Sequence, residues 1–281
     1  MIEYIIIAIL QGFFEWLPIS SSGQTFIVGM NVFGISAEES FSLAIWLHFG
    51  TTLAVLFKFR ADFFKIFKSF VPNTFKVDEI DIKRRNWLIY ATLGTGLTAL
   101  PLYFIFKILI IDIFTAVQGD IITLFISGFL IITGIVLLKT RKIYGENTLD
   151  DIQKKKIQRD SVVSGIVQGF SILPGISRSG VSVSVIILEN YNQDSALRLS
   201  FLMSVPVAFA SIIVDIVFGG GSIFGMLEPF VILITTFISF IVGYFTIELL
   251  LRIAQKLSFG YFCILFGIVA FGIIIPFILI P

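Results

Sequence analysis

Hydrophobic residues in this chain come in long blocks separated by short polar segments, without the period-two alternation of half-buried strands. Six blocks, 39–58, 86–108, 121–138, 194–218, 228–251 and 257–280, are long enough for helices that cross a hydrocarbon core, which takes about 20 residues. Two further blocks, 2–33 and 161–190, run apolar for about a dozen residues, break at a proline followed by a Ser/Gly cluster, and resume. Neither arm of these two can span alone. Each is expected to be a re-entrant helical hairpin, its irregular backbone shielded by protein or water. The pattern predicts an all-α integral membrane protein of six transmembrane helices and two re-entrant hairpins.

Charge sharpens the layout. Eight basic residues follow the first span (Lys58, Arg60, Lys65, Lys68, Lys76, Lys83, Arg84, Arg85), seven follow the third (Lys139, Arg141, Lys142, Lys154, Lys155, Lys156, Arg159), and Arg252 and Lys256 follow the fifth. Connections 109–120 and 219–227 hold no Lys or Arg. Basic loops mark the cytoplasmic side. Six spans and two non-crossing hairpins put all three basic segments there and both termini outside, so a multi-pass cell-membrane protein is expected. The first hairpin then enters from outside and the second from the cytoplasm.

The two interrupted blocks also resemble one another. Gln11-Gly12-Phe13 matches Gln168-Gly169-Phe170, and Ile19-Ser20-Ser21-Ser22-Gly23 matches Ile176-Ser177-Arg178-Ser179-Gly180, at a constant offset of 157 (168 − 11). Pro18 and Pro174 shift by one. Three spans follow each copy, an odd number, so the second copy is expected upside down relative to the first. The chain therefore reads as two inverted repeats, 1–156 and 157–281, whose broken elements meet near the membrane midplane. Ser and Gly also mark tight helix packing in membranes, but packing alone requires neither Glu15 nor Arg178 at the breaks.

Composition agrees: 57% of residues are hydrophobic, 14% are charged, and the mean hydropathy is +0.99. A soluble globule is excluded, since an average soluble domain is about a quarter charged. The net charge of +1 gives no sign of a nucleic-acid partner. One cysteine, Cys263, excludes a disulfide framework within the chain. The N-terminus lacks a basic start and small-residue cleavage site, so Met1 is expected to begin the mature protein.

The candidate chemistry lies at the breaks. Gln11 and Glu15 are four apart and share a helix face. A charge at the bilayer centre costs on the order of 2.5–3.5 kcal/mol on insertion scales, so Glu15 and Arg178 need partners, protons or ions. Each half-helix beginning at a Ser/Gly cluster offers unbonded N–H groups and the positive end of its dipole to phosphate oxygens. Ser20, Ser22, Gly23, Gln24, Ser177, Ser179 and Gly180 are candidate binding positions around them. Arg178 can grip phosphate bidentately. Glu15 then makes sense as a ligand for a divalent cation, Mg or Ca, or as a proton carrier. Ser21 is a candidate nucleophile or donor. The single histidine, His48, is either a satisfied interhelical residue or an acid, base or phosphate donor beside the first hairpin. Asp215, Glu248, Glu189, Asp194 and Arg198 lie nearer span ends and read as interfacial.

Gln11-Gly12-Phe13-Phe14-Glu15-Trp16-Leu17-Pro18-Ile19-Ser20-Ser21-Ser22-Gly23 and Pro174-Gly175-Ile176-Ser177-Arg178-Ser179-Gly180 closely resemble the two signature segments of the undecaprenyl-diphosphatase, or bacitracin-resistance (BacA), family. That resemblance implies a hydrolase of lipid-carrier recycling in the cell envelope, removing one phosphate from a polyprenyl diphosphate to leave the monophosphate. It implies that Glu15 is the second acid of the family's Glu-x-x-x-Glu motif, Ser21 the proposed nucleophile, and Ser177 with Arg178 the phosphate-binding segment. Gln11 stands where the family usually has the first glutamate, and Gln24 where it usually has a histidine. Leu47-His48-Phe49-Gly50 aligns where bacterial members commonly carry glutamine, which suggests that histidine and glutamine have exchanged places across one pocket. The expected partners are the bilayer, the polyprenyl diphosphate and, as an open option, a second copy in a homodimer. The alternative reading is a polyprenyl-phosphate flippase or transporter using the same pocket, since inverted repeats with broken helices suit alternating access.

Overall fold

The computed structural model describes residues 1–17, 19–71, 77–108, 119–140, 145–149, 153–218, 223–256 and 259–279. Pro18, Lys76, Arg141, Lys142 and nearly all of connection 109–120 lie outside them. Helices make up most of the described residues: α1 (Ile2–Phe14), α2 (Ser21–Phe33), α3 (Ala37–Lys58), α4 (Arg60–Lys68), α5 (Glu79–Ile108), α6 (Gly119–Thr140), α7 (Lys154–Gly169), α8 (Arg178–Leu188), α9 (Gln193–Phe218), α10 (Ile223–Met226), α11 (Pro229–Lys256) and α12 (Phe259–Leu279). Among the described residues, five helices are long and apolar enough to cross a membrane: α3, α5, α6, α9 and α11. Each contains one of the expected spans, and α12 covers most of the sixth expected block.

Two elements depart from the sequence pattern. Helix α5 begins at Glu79, seven residues ahead of the block at 86, because Glu79 and Asp81 favour a helix N-terminus and a polar turn projects beyond the apolar zone. The basic segment after α3 contains α4, whose Phe64 and Phe67 are exposed while Ile66 is buried. Its short amphipathic pattern lacks the length that marked the spans.

The start of α3 shows how local chemistry fixes the first turnaround. Gly34 adopts φ 65, a left-handed conformation that glycine takes without a Cβ clash, and ends α2. Ser36 then caps α3 by accepting from the Glu39 amide at 3.2 Å, with Glu38 and Glu39 in the first turn.

Residue pairings give the direction of each helix. Trp46 Nε1 donates to Thr236 Oγ1 at 2.8 Å and Lys58 Nζ to Glu248 at 2.7 Å, so α3 and α11 run parallel. Helices α5 and α9 also run parallel, from the Trp87–Leu199 cluster to the Tyr103–Asp215 bond. Helix α3 runs against α9, with Ser42 bonded to Asp215 at one end and Phe59 stacked on Phe201 at the other. The basic residues Lys58, Arg84, Arg85 and Arg198 therefore gather at one end of the bundle, where Asp62 bonds both Arg84 and Arg198.

The broken segments are docked the same way on opposite partners. Helix α1 lies parallel to α11: Ile7 clusters with Ile232 and, farther along both, Trp16 with Ile247. Helix α7 lies parallel to α5, Thr95 bonding Gly165 O and Thr98 bonding Ile166 O. The equivalent glycines Gly12 and Gly169 sit at these crossings; a Cβ on Gly12 would come within 2.9 Å of Ser239 O, and one on Gly169 within 2.8 Å of Thr95 O. In both segments the second arm folds back along the first. Gly29 of α2 lies near Ile7 of α1, and Glu189, just past α8, accepts from Ser164 of α7 at 3.0 Å.

Candidate functional site

Both second arms begin with the same cap. Ser20 Oγ accepts from the Gly23 amide at 3.3 Å, and its counterpart Ser177 Oγ accepts from the Gly180 amide at 3.1 Å. A serine three residues ahead of the bonded amide satisfies one of the helix's orphan donors and leaves others directed outward. Ser20 sits at φ 58 and Gly175 at φ 100, so both breaks use left-handed backbone. The breaks then join: the Gly175 amide donates to Ser20 Oγ at 3.1 Å. Thr133 of α6 braces the second break, donating to Gly175 O at 3.1 Å and accepting from the Ser177 amide at 3.3 Å.

Glu15 sits at this junction, buried at 5% exposure. Its Oε2 accepts from Gln11 Nε2 and from Ser21 Oγ, each at 2.7 Å, and its Oε1 accepts from Arg178. His48 approaches from α3 with Nε2 3.4 Å from Oε2, while its Nδ1 lies 2.6 Å from Ala44 O. Two charges withdrawn from water are tolerable only when each is paired and its remaining bonds are made. Here the carboxylate has a guanidinium, a hydroxyl and an amide. The arrangement places Ser21 within proton-transfer distance of a carboxylate and holds a guanidinium beside it.

A cavity of about 210 Å³ opens on this cluster, lined at one end by Glu15, Ser21, Ser22, His48, Ser177, Arg178 and Ser179. Its walls continue along α5 and α9 through Ala99, Leu100, Tyr103, Val207, Ala210 and Val214, which are mostly apolar. Leu100 in this lining is also exposed, so the cavity opens to the surface beside it on α5.

The remaining sequence candidates stand behind this lining. Gln11 is fully buried and holds Glu15. Gln24 is buried and donates to Ile19 O at 2.8 Å, bracing the break from behind. Gly23 and Gly180 supply the capped amides, Gly23 packed tightly against Gly175. His48 lines the cavity, whereas Gln24 is not among the residues of its wall. Among the described residues no group of three or more His, Cys, Asp and Glu side chains converges. Glu15 is the one carboxylate here that could hold a divalent cation, and only in company with phosphate oxygens of a ligand, a ligand set Mg accepts.

The sequence reading passed over several residues. Gln168, counterpart of Gln11, lines the cavity with Nε2 3.3 Å from Thr95 Oγ1 and with Oε1 lacking a hydrogen-bond partner. The repeat alignment already contained that signal. Asp215, near the end of α9, is buried at 6% exposure and accepts from Ser42 at 2.7 Å and from the cavity-lining Tyr103 at 3.1 Å. Nothing in spacing along one chain announces a bond across three helices.

Residues 4–271 match the family model of the bacitracin resistance protein BacA. The chain belongs to that family. Proteins named undecaprenyl-diphosphatase from Methanothrix thermoacetophila and Methanococcoides burtonii are 36% and 37% identical to it over 272 residues, covering 97% and 95% of this chain and 96% of each relative. A relative of the same name from Methanopyrus kandleri is 34% identical over 271 residues, covering 95% of this chain and 93% of its own length. This BacA-family chain is a multi-pass membrane protein, and the matched residues include both broken segments, which meet at Glu15 and Arg178.

Proposed function

We propose that this protein hydrolyses a polyprenyl diphosphate to the monophosphate lipid carrier and phosphate, with the diphosphate at the junction of the two breaks and the prenyl tail along α5 and α9. The observation that carries the reading is Glu15 bonded at once to Ser21 and Arg178 at the polar end of an otherwise apolar cavity. An incoming diphosphate competes with Glu15 for Arg178, whose fork suits phosphate bidentately. Released from the guanidinium, Glu15 takes the proton of the attacking group, the Ser21 hydroxyl or a water in its place, as that oxygen attacks the terminal phosphorus. The bond to the bridging oxygen breaks, and the electron pair leaves with the prenyl monophosphate. Where Ser21 attacks, water then hydrolyses the phosphoserine and His48 relays its proton. A divalent cation, Mg or Ca, held by Glu15 and the diphosphate would neutralise charge there.

The proposed frame is six spans and two re-entrant hairpins, in two inverted repeats at 1–156 and 157–281. Three features support it. The first hairpin's α1 runs parallel to α11 and the second's α7 parallel to α5; each hairpin folds back on itself; and the equivalent Gly12 and Gly169 occupy equivalent crossings. With the basic end cytoplasmic, the first hairpin enters from outside, and so do both termini.

Purified protein in detergent micelles, given a polyprenyl diphosphate, is expected to release inorganic phosphate, more slowly with chelator. Lipid movement in vesicles without phosphate release would instead assign a flippase.

A further inference from the structure

Glycine inside a helix costs more stability than any residue but proline, so it is kept where something needs the side chain to be missing. Helix α5 holds two glycines, and they differ. A Cβ on Gly94 would come within 2.6 Å of Val162 O, so the close approach of α7 requires Gly94. A Cβ on Gly96 would meet nothing within 4 Å. Packing gives no reason for Gly96, which is half-buried in the wall of the hairpin cavity.

We infer that Gly96 determines specificity for the lipid tail: on the tail placement proposed above, the isoprene unit next to the phosphate occupies the space that a side chain at 96 would fill. Depth along the bundle supports this. Ser42 and Tyr103 both donate to Asp215, which sets α3 and α5 level at that point. The two helices run in opposite directions from there, since α5 parallels α9 and α3 opposes it. His48 lies six residues beyond Ser42 and Gly96 seven before Tyr103, displacements of about 9 and about 10 Å the same way along the bundle. Gly96 therefore stands level with His48 and the carboxylate that His48 faces, where a tail leaving the phosphate begins.

Leu100, one turn from Gly96 on the same face of α5, is 42% exposed where the cavity opens. A chain running from the reacting groups to the lipid passes Gly96 first and Leu100 next. Any side chain at the first of these narrows the path without disturbing the helices that form it.

The test is thermal unfolding of the full-length protein in detergent micelles, titrated separately with a polyprenyl monophosphate, which carries the tail and is not turned over, and with inorganic phosphate. Gly96→Leu is expected to weaken the lipid response about tenfold, the size of an overpacking effect, and Gly96→Ala to fall between it and the parent. The inorganic phosphate response is expected to stay within about twofold in both variants. Without ligand, both are expected to unfold at or above the parent midpoint, because a better helix former enters open space. Gly272→Leu on α12 is the control: that glycine also has nothing within 4 Å, but it is exposed and outside the cavity wall, so both responses are expected to match the parent.

An unchanged lipid response in Gly96→Leu, an equal loss of the inorganic phosphate response, an equal loss in Gly272→Leu, or a lowered ligand-free midpoint in Gly96→Leu overturns the assignment. A parent that does not respond to the lipid overturns the tail placement and this inference together. A parent that binds the lipid in this way but releases no phosphate from the diphosphate overturns the hydrolase reading alone.

Discussion

His48 presents Nε2 to Glu15 at 3.4 Å while its Nδ1 faces the Ala44 carbonyl at 2.6 Å. The carbonyl fixes a proton on Nδ1, and Nε2 is left to face the carboxylate that also holds Ser21. A ring held this way can pass a proton to or from the reacting group without moving. His48→Ala is expected to lower kcat about 100-fold, the low end of general acid–base effects. Phosphate release in micelles measures this; full activity in His48→Ala removes histidine from the chemistry.

Arg178→Lys keeps the charge but loses the planar fork. Activity is expected to fall at least about 100-fold, because a single ammonium cannot reproduce bidentate contact with phosphate. Ser21→Ala separates the two routes of attack: no phosphate release requires Ser21 as nucleophile, whereas loss of only about tenfold leaves it a hydrogen-bond donor to an attacking water.

Gln24 has a different expectation despite standing in the signature segment. Its side chain bonds Ile19 O and is absent from the cavity wall. Gln24→Ala is expected to destabilise the protein by about 1–2 kcal/mol through the lost buried bond, with kcat per folded molecule within about threefold of the parent. Thermal unfolding and phosphate release on the same sample distinguish this from a catalytic role.

Glu189 follows α8, outside the spanning helices. Burial, reinforced by the nearby Asp160 charge, pushes its carboxyl from 4.5 up to about 8. In the unfolded chain Glu189 ionises from about pH 4.5 while the folded chain resists until about 8, so relative stability falls as pH rises across that window. Glu189→Gln is expected to unfold a few degrees higher than the parent at about pH 9, with the gain vanishing at about pH 4.5. Equal midpoints at both ends would place the carboxyl in an ordinary solvated state.

How much of this was written in the sequence depends on the kind of signal. Long apolar runs gave α3, α6, α9 and α11 within a few residues, because the bilayer demands length and hydrophobicity that few other constraints mimic. The repeat at an offset of 157 put Ser20 and Ser177 in corresponding places, and each does cap its half-helix. Helix α4 was illegible because nine amphipathic residues in a basic loop resemble solvated chain. The direction of Gln24, the Asp215–Tyr103–Ser42 bonds and the Thr133 brace are products of packing between distant helices, which one-dimensional spacing does not encode.

The Gly175–Ser20 bond ties the two breaks together directly beside Glu15 and Arg178. Rocking one half of the molecule against the other would tear that seam first. On the proposed reading, substrate would exchange through the opening beside Leu100 on α5, with the reacting groups staying in register from one turnover to the next.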